Sequence, residues 1–281
     1  MKLFKKLLIR ILIIVAVGIL VFSIIKMISL QSETEQVNNM YQALSAQVQA
    51  PPDTSGSQDL EESDATVGSD STFAPDAAVS PDAAEDSPAL NILPQYTDLV
   101  AQNGDMVGWI SITDTRIDYP VMTCEDDTEF YLSHDFYKNS DRHGVPFIDS
   151  SCCNILDSDN LIIYGHNMHD GTMFADLNKY TDVEFCKNHP YITFNTIYAE
   201  YTYHIVMVFK IEESDTTKFP YHTITQFDNS SVTVNDYIAR AKYYSIWSDE
   251  QKISDDDKLL TLSTCEYTLT NGRLVIIAKR L

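Results

Sequence analysis

The segment Leu259-Leu260-Thr261-Leu262-Ser263-Thr264-Cys265 is followed, after a link that contains Asn271-Gly272, by Arg273-Leu274-Val275-Ile276-Ile277-Ala278-Lys279. Both runs consist largely of strand-forming apolar residues, and Asn-Gly is a turn signal, so the pair predicts an antiparallel hairpin. Leu269 lies midway between Cys265 and Arg273. A hairpin centred on Leu269 places these two residues opposite each other, with Cβ atoms about 5 Å apart.

The rest of the body, from about residue 91 to residue 281, carries further short runs of Val, Ile, Tyr, Phe and Thr. These residues favour strands, and turn residues such as Thr113-Asp114 separate several of the runs. The predicted strands are 108–112, 117–121, 145–148, 161–164, 191–195, 200–211, 259–265 and 273–279. Apolar periodicity predicts helices at 93–102 and 236–247, and 127–133 and 172–180 are candidates for further short helices. The sequence therefore predicts a mainly β domain, a closed or nearly closed barrel with peripheral helices.

The net charge of −22 is the sum of three unlike segments. Residues 1–30 hold five basic residues and no acidic residue, residues 31–90 hold 12 acidic residues and no basic residue, and residues 91–281 hold 14 basic and 29 acidic residues. Because nucleic-acid binding needs a basic patch, this balance argues against a nucleic-acid partner.

The basic N-terminal segment predicts a membrane anchor. Residues 11–25 contain no charge, and the apolar stretch over residues 7–30 meets the length of about 20 residues that a helix needs to cross a bilayer. Most of its basic residues precede the stretch, so the positive-inside rule places the N-terminus in the cytoplasm and everything after residue 30 outside. The alternative is a cleaved signal peptide, but residues 31–35 offer no small-residue cleavage site.

Residues 31–90 predict an acidic, disordered tether. Pro, Ser, Asp and Ala dominate residues 51–88, and so few large apolar residues cannot offset the entropy of ordering the chain. Residues 36–49 leave a short helix beside the membrane as an alternative. The predicted organisation is a basic tail and transmembrane anchor (1–30), a tether (31–90) and a globular domain (91–281).

Cys265, Arg273 and His166 are the candidate catalytic residues. A cation opposite Cys265 favours its thiolate, and it can stabilise the oxyanion that forms when the thiolate attacks a carbonyl. His166 ends an apolar strand and is the candidate proton carrier for a leaving amine. The other six histidines are interpreted as surface or structural residues: His134, His143, His169, His189, His204 and His222.

Five cysteines leave at least one thiol unpaired within a single chain. Four of them are expected to be buried or paired: Cys124, Cys152, Cys153 and Cys186. Without a C-x-x-C or C-x-x-H pair, a zinc site is not predicted. The spacing of His166, His169 and Asp170 leaves a metal site open, although no further ligand is defined.

The sequence resembles the sortases, the membrane-anchored cysteine transpeptidases of Gram-positive bacteria. Tyr164-Gly165-His166 precedes Thr261-Leu262-Ser263-Thr264-Cys265, which has the family's T-L-x-T-C pattern, and Arg273 follows. A long insertion over residues 220–258 resembles class B sortases. Further matches to class B are Asn103-Gly104-Asp105, Gly108-Trp109-Ile110, Tyr119-Pro120-Val121 and Tyr131-Leu132-Ser133-His134-Asp135-Phe136.

The resemblance implies an eight-stranded sortase-like barrel with Cys265 as nucleophile, His166 as acid and base, and Arg273 as the group that holds the substrate and stabilises the oxyanion. It further implies cleavage after the Thr of a C-terminal sorting signal in secreted proteins. An amine of peptidoglycan, or of its lipid-linked precursor, would then resolve the thioester. The residues that flank the nucleophile are expected to bind the signal: Ser263, Thr264 and Glu266.

The implied mechanism needs no metal or organic cofactor, although Asp255-Asp256-Asp257 leaves calcium as an alternative. The implied location is the cell membrane, with one span, a cytoplasmic N-terminus and an extracellular catalytic domain. Three alternatives remain. A pilin-joining sortase would use a pilin Lys amine. Another thiol peptidase of the wall, such as an L,D-transpeptidase or an amidase, needs different surroundings for its Cys. A stalked, non-catalytic adhesin would make the His, Cys and Arg pattern coincidental.

Overall fold

The computed structural model describes residues 2–49, 90–148, 155, 158–227, 232–249 and 251–281. Its helices are α1 (Lys2–Gln49), α2 (Thr97–Gln102), α3 (Val183–Asn188), α4 (Glu213–Thr216) and α5 (Val234–Tyr243). Its strands are β1 (Met106–Ser111), β2 (Asp118–Met122), β3 (Phe147–Ile148), β4 (Asn160–Tyr164), β5 (Tyr191–Thr196), β6 (Thr202–Ile211), β7 (Ser245–Ser248), β8 (Leu259–Glu266) and β9 (Gly272–Arg280). Short 3₁₀ turns occupy Pro94–Tyr96, Phe130–Leu132, Phe174–Thr181 and Tyr221–Thr223.

Eight of these strands close into a barrel in the order β5-β1-β2-β3-β4-β8-β9-β6, because β6 also pairs with β5. The closed eight-stranded barrel predicted from the sequence is therefore confirmed. Most ladders are antiparallel, but β4 runs parallel to β8, with Tyr164 paired to Ser263. Because β4 and β8 both run in the same direction, their C-terminal ends meet at one rim of the barrel.

Strands β8 and β9 form a wall between two hydrophobic cores. Leu260, Leu262 and Ile276 face the main core, whereas Leu259 and Ile277 face a second core. This follows from the alternation of side chains along a strand. The second core is closed by the long segment between β6 and β8, through Phe219, Tyr221, Phe227 and Tyr237. Burial on both faces explains why the two strand sequences are almost continuously apolar.

The region around residue 247 differs from the predicted helix 236–247. Helix α5 begins at a capping box formed by Thr233 and Asp236 and ends at Tyr243. The chain then forms β7, in which Trp247 pairs with Val208 of β6. Pairing with an available strand edge therefore overrides the helical periodicity of the sequence.

Residues 31–49 also differ from the prediction, because they continue α1 instead of forming a tether. Val37, Tyr41 and Leu44 are buried against the globular domain, and the Tyr41 hydroxyl donates a hydrogen bond to the Gly144 carbonyl over 3.1 Å. The disordered-tether prediction is wrong for these residues, and the alternative of a helix at 36–49 is confirmed. Their apolar positions recur at helical spacing and pack against the globular domain. Residues 50–89 of the predicted tether lie outside the described residues.

The N-terminal half of α1 is long and apolar enough to cross a membrane. Large apolar side chains between Leu12 and Leu30 are exposed, among them Leu20, Phe22 and Ile25. An apolar helix surface without a protein partner is stable in lipid rather than in water. The finding agrees with the predicted anchor.

Candidate active site

Cys265 and Arg273 are directly opposed partners in the antiparallel ladder of β8 and β9, as the sequence predicted. Both are partly exposed, at the rim where the hairpin leaves the barrel. Alternation along β8 puts Cys265 on the same face as Ser263, next to the segment that closes the second core. A thiol and a guanidinium thus share one accessible face.

The Arg273 guanidinium is anchored on the turn that precedes it. Its Nη1 donates to the carbonyls of Asn271 and Gly272, over 3.2 and 3.0 Å. Asn271 has a φ of 48°, in the left-handed region that Asn tolerates in turns. Because a guanidinium has five N–H donors in a rigid fork, these contacts leave donors for a substrate carbonyl.

Glu266 organises the turn between β8 and β9. It is buried, and its carboxylate accepts hydrogen bonds from the Leu269 amide, from the Thr268 amide and hydroxyl, and from Lys210 Nζ at 2.8 Å. Burial raises the pKa of Glu266, but these hydrogen bonds, led by that from Lys210, hold it below its ordinary value. Glu266 therefore stays ionised and fixes the turn that carries Arg273.

His166 reaches the same rim from β4. The parallel ladder ends at Tyr164 and Ser263, and His166 and Cys265 each lie two residues beyond this last pair. The Thr264 hydroxyl continues the contact by donating to the Gly165 carbonyl over 2.7 Å. Fold topology therefore brings together two residues that are 99 positions apart in the sequence.

The orientation of the His166 ring is set by the 3₁₀ turn at Phe130–Leu132. Nε2 lies 2.8 Å from the Leu132 carbonyl oxygen, which can only accept a hydrogen bond. Nε2 therefore carries a proton, and Nδ1 is the ring nitrogen left to exchange a proton with a reacting group.

Ser263 and Thr264, predicted to bind substrate, are buried in the structure. The Ser263 hydroxyl lies 2.9 Å from the Tyr221 hydroxyl, and the Thr264 hydroxyl donates a hydrogen bond to the Gly165 carbonyl. Burial raises the pKa of Tyr221, although its hydrogen bond with Ser263 and the nearby Arg273 guanidinium act against this rise. The structure thus places Ser263, Thr264 and Glu266 as supports behind the site, and Tyr221 beside it.

The other described thiols differ from Cys265. Cys186 is buried, donates to the Tyr180 carbonyl, and has a pKa that burial raises to about 11. Cys124 is half-buried, and both thiols are free. Cys152 and Cys153 lie outside the described residues.

The metal site left open at His166, His169 and Asp170 is not assembled. His169 stacks on Tyr267 at a ring separation of 5.2 Å, whereas Asp170 accepts hydrogen bonds from His143, Thr34 and Thr172. Burial raises the pKa of Asp170, but these hydrogen bonds outweigh it and lower the pKa to about 2. Within the described ranges, no three His, Cys, Asp or Glu side chains are grouped so that they could hold a metal ion.

The sequence patterns do not predict several contacts of the site. They involve Leu132, Asn167, Tyr221 and Tyr267. Asn167 follows His166 directly, and Tyr267 lies two residues beyond Cys265, so proximity along the chain was the available signal. Leu132 and Tyr221 come from distant segments and carry no such signal.

Comparison with known proteins agrees with this geometry. The family model of the sortase domain matches residues 110–281, more than half of the chain. The chain belongs to the sortase family. The match contains β4, β8 and β9 in full, and with them all three candidate catalytic residues.

Two relatives of this sortase are named as class B sortases. Sortase B of Listeria monocytogenes is 40% identical over 184 residues, which cover 65% of this chain and 72% of the relative. Sortase B of Staphylococcus aureus is 32% identical over 193 residues, which cover 67% of this chain and 75% of the relative. The class B resemblance is confirmed, and the chain is a cysteine transpeptidase.

Solved sortase B structures share the fold. The structure from Clostridium perfringens has a TM-score of 0.60 at 31% identity and covers 66% of this sortase and 98% of that chain. A Staphylococcus aureus sortase B–substrate complex has a TM-score of 0.60 at 31% identity and covers 68% and 86% of the two chains.

Proposed function

We propose that the sortase cleaves a sorting signal of secreted proteins after its Thr residue, through a thioester on Cys265, and transfers the acyl group to an amine of peptidoglycan or its precursor. The observation that carries this proposal is the direct opposition of Cys265 and Arg273 in the β8–β9 ladder. His166 arrives at the same rim through the parallel β4–β8 pair. Nucleophile, acid–base group and oxyanion donor are the three components that acyl transfer to a thiol requires.

In the first half of the reaction, the Cys265 thiolate attacks the Thr carbonyl carbon, and the carbonyl oxygen gains negative charge. Arg273 stabilises this oxygen because its guanidinium is already fixed by Asn271 and Gly272. When the C–N bond breaks, His166 donates a proton to the leaving amine. The products are the free C-terminal fragment and a thioester on Cys265.

In the second half, an acceptor amine attacks the thioester carbonyl. His166 removes a proton from the incoming amine, and Cys265 leaves as the thiolate. A new amide joins the Thr to the acceptor, and the protonation states of both residues return to their starting point. No redox partner is needed.

The apolar half of α1 supports placement at a membrane. With the basic residues concentrated before the apolar stretch, the N-terminus would be cytoplasmic and the barrel extracellular. This position suits substrates that are secreted and acceptors that belong to the cell wall. Sortase B of Staphylococcus aureus has been solved as a substrate complex, which supports a peptide partner here.

A panel of quenched fluorescent peptides of the L-P-x-T-G, N-P-x-T-N and S-P-x-T-G types tests this function. We expect one type to be cut after Thr by the natural chain and not by Cys265→Ala. Added amines, including cross-bridge peptides and a pilin Lys peptide, should divert the product from hydrolysis to amide formation. Failure to cut every peptide, or equal cutting by Cys265→Ala, would contradict the proposal.

A further inference from the structure

The β4–β8 ladder ends before it reaches the catalytic residues. Its last pair is Tyr164 with Ser263, and the Gly165 amide adds one bond to the Ser263 carbonyl at 3.2 Å. His166 lies beyond this point on a loop. The separation between His166 and Cys265 therefore depends on contacts other than the ladder.

Two such contacts cross from the His166 loop to the end of β8. The Asn167 side-chain amide donates from Nδ2 to the Cys265 carbonyl over 2.8 Å. In return, the Tyr267 hydroxyl donates to the Asn167 carbonyl over 2.7 Å. Each strand end thus donates one hydrogen bond to the other, and the residue immediately after His166 is tied on both its side chain and its backbone.

The orientation of the Asn167 amide is fixed by the side chain of Asn178. Asn178 Nδ2 donates to Asn167 Oδ1 over 2.8 Å. Asn167 Nδ2, which donates to the Cys265 carbonyl, also donates to Asn178 Oδ1 over 3.3 Å, so both polar atoms of the amide have partners. Asn167 is buried. Because its side chain has defined partners on both sides, it holds one position.

Tyr267 differs from Asn167, because it is 61% exposed. A mostly exposed aromatic ring contributes little to the core. Removing only its hydroxyl should therefore leave folding intact while removing one of the contacts that hold the His166 loop.

We propose that Asn167 and Tyr267 are positioning residues that hold the His166 loop against the end of β8, so that His166 stays in reach of Cys265 through the proton transfers. The catalytic part of this proposal rests on the proposed function, but the coupling of His166 to the thiol does not. Such a constraint matters because proton transfer is efficient only within hydrogen-bond reach.

The test uses the full chain in detergent micelles, with Tyr267→Phe and Asn167→Ala. With a peptide that the natural chain cuts, Tyr267→Phe should lower kcat about five- to tenfold, as expected for one lost hydrogen bond, and leave KM within about twofold. Asn167→Ala should have an effect at least as large. Tyr243→Phe is the matched control, since Tyr243 is 84% exposed on α5, and it should behave as the natural chain.

A second readout needs no peptide and so separates this proposal from the proposed function. The rate of Cys265 alkylation by iodoacetamide is followed against pH in the natural chain, in His166→Ala, in Tyr267→Phe and in the double variant. Cys124 and Cys186 are replaced by Ser throughout, and Cys265 labelling is identified by peptide mass. The Tyr267→Phe profile should shift towards that of His166→Ala, and the double variant should match His166→Ala alone.

An unchanged kcat and alkylation profile in Tyr267→Phe would overturn the proposal. The same conclusion follows if Tyr267→Phe has its full effect in the His166→Ala background, or if it raises KM alone. If no peptide is cut by the natural chain but the alkylation profiles behave as expected, the positioning role stands and the proposed function fails.

Discussion

Cys265 and Arg273 face each other across the β8–β9 ladder, and the turn that joins them is held by the buried carboxylate of Glu266. The relationship combines a nucleophile and a cation on one rigid hairpin. Since the guanidinium is already fixed by backbone carbonyls, it needs little reorganisation when an oxyanion forms.

Arg273→Ala should lower kcat/KM for a cut peptide by about 100-fold or more, the usual effect of losing one oxyanion donor. Arg273→Lys should recover only part of the loss, because an ammonium keeps the charge but not the planar fork of donors. Steady-state kinetics on the three proteins measure this. Equal activity of Arg273→Ala and the natural chain would remove Arg273 from the mechanism.

Ser263→Ala should destabilise the fold without weakening peptide binding. The change leaves the buried Tyr221 hydroxyl without its 2.9 Å partner, which costs about 1–3 kcal/mol in the free energy of unfolding. Removing both partners in Ser263→Ala/Tyr221→Phe should restore most of the stability. Denaturant unfolding and KM are the measurements; a raised KM that the second change does not rescue would show that Ser263 binds the signal directly.

Glu266→Gln should make the stability less dependent on pH. The pKa of Glu266 in the folded chain is below its ordinary value of 4.5. The ionised carboxylate therefore stabilises the fold, and this contribution is fully present at pH values above 4.5. The contribution falls as the pH decreases through the folded pKa. We therefore expect the difference in unfolding free energy between the natural chain and Glu266→Gln to be about 2 kcal/mol at pH 7 and to shrink towards pH 3.

The control for Glu266 is Glu184→Gln. Glu184 pairs with Lys187 on α3, and its side chain is 73% exposed, so its loss should change stability by less than about 1 kcal/mol at any pH. A pH dependence that is the same in Glu266→Gln and in the natural chain would contradict the assigned role.

The sequence predicted the hairpin well because its information is local. Cys265 and Arg273 lie at equal distances along the sequence from Leu269, and this determined their register. The apolar runs are explained by burial of the hairpin on both of its faces. The meeting of His166 and Cys265 is different. It depends on a parallel pairing between β4 and β8, and no local pattern specifies which strands become parallel neighbours. Only the resemblance to sortases indicated it.

Two predictions that the structure contradicts, the helix as far as residue 247 and the tether over residues 31–49, have a common physical origin. Trp247 fits a helical period but pairs with the edge of β6. Residues 31–49 belong to a segment whose few large apolar residues predict a tether, although a helix at 36–49 is the alternative for part of it, and the structure has that helix. Val37, Tyr41 and Leu44 recur at helical spacing, and this signal was available in the sequence. In both segments, packing against the barrel decided the outcome rather than local preference or charge.

Docking of α1 on the barrel gives a further prediction. Tyr41 is buried, donates to Gly144 and packs edge-on against Tyr119 at 5.1 Å. Tyr41→Ala should lower the free energy of unfolding by about 3 kcal/mol or more, as for other large aromatic truncations. Asn39→Ala, at an exposed position of the same helix turn, should be within about 0.5 kcal/mol of the natural chain.

Thermal unfolding in detergent micelles, followed by near-ultraviolet circular dichroism, compares Tyr41→Ala with Asn39→Ala. If both variants unfold as the natural chain does, residues 31–49 contribute nothing to the stability of the domain, and α1 serves only as a connection to the membrane.

Intact-protein mass spectrometry tests the central claim most directly. The natural chain is mixed with a cut sorting peptide and quenched in acid within seconds. We expect an added mass equal to the peptide up to and including Thr, less water, located on Cys265 by peptide mapping and lost on adding an acceptor amine. Continued cleavage by Cys265→Ala, or an adduct on one of the other four cysteines instead, would contradict the assignment of Cys265 as the nucleophile.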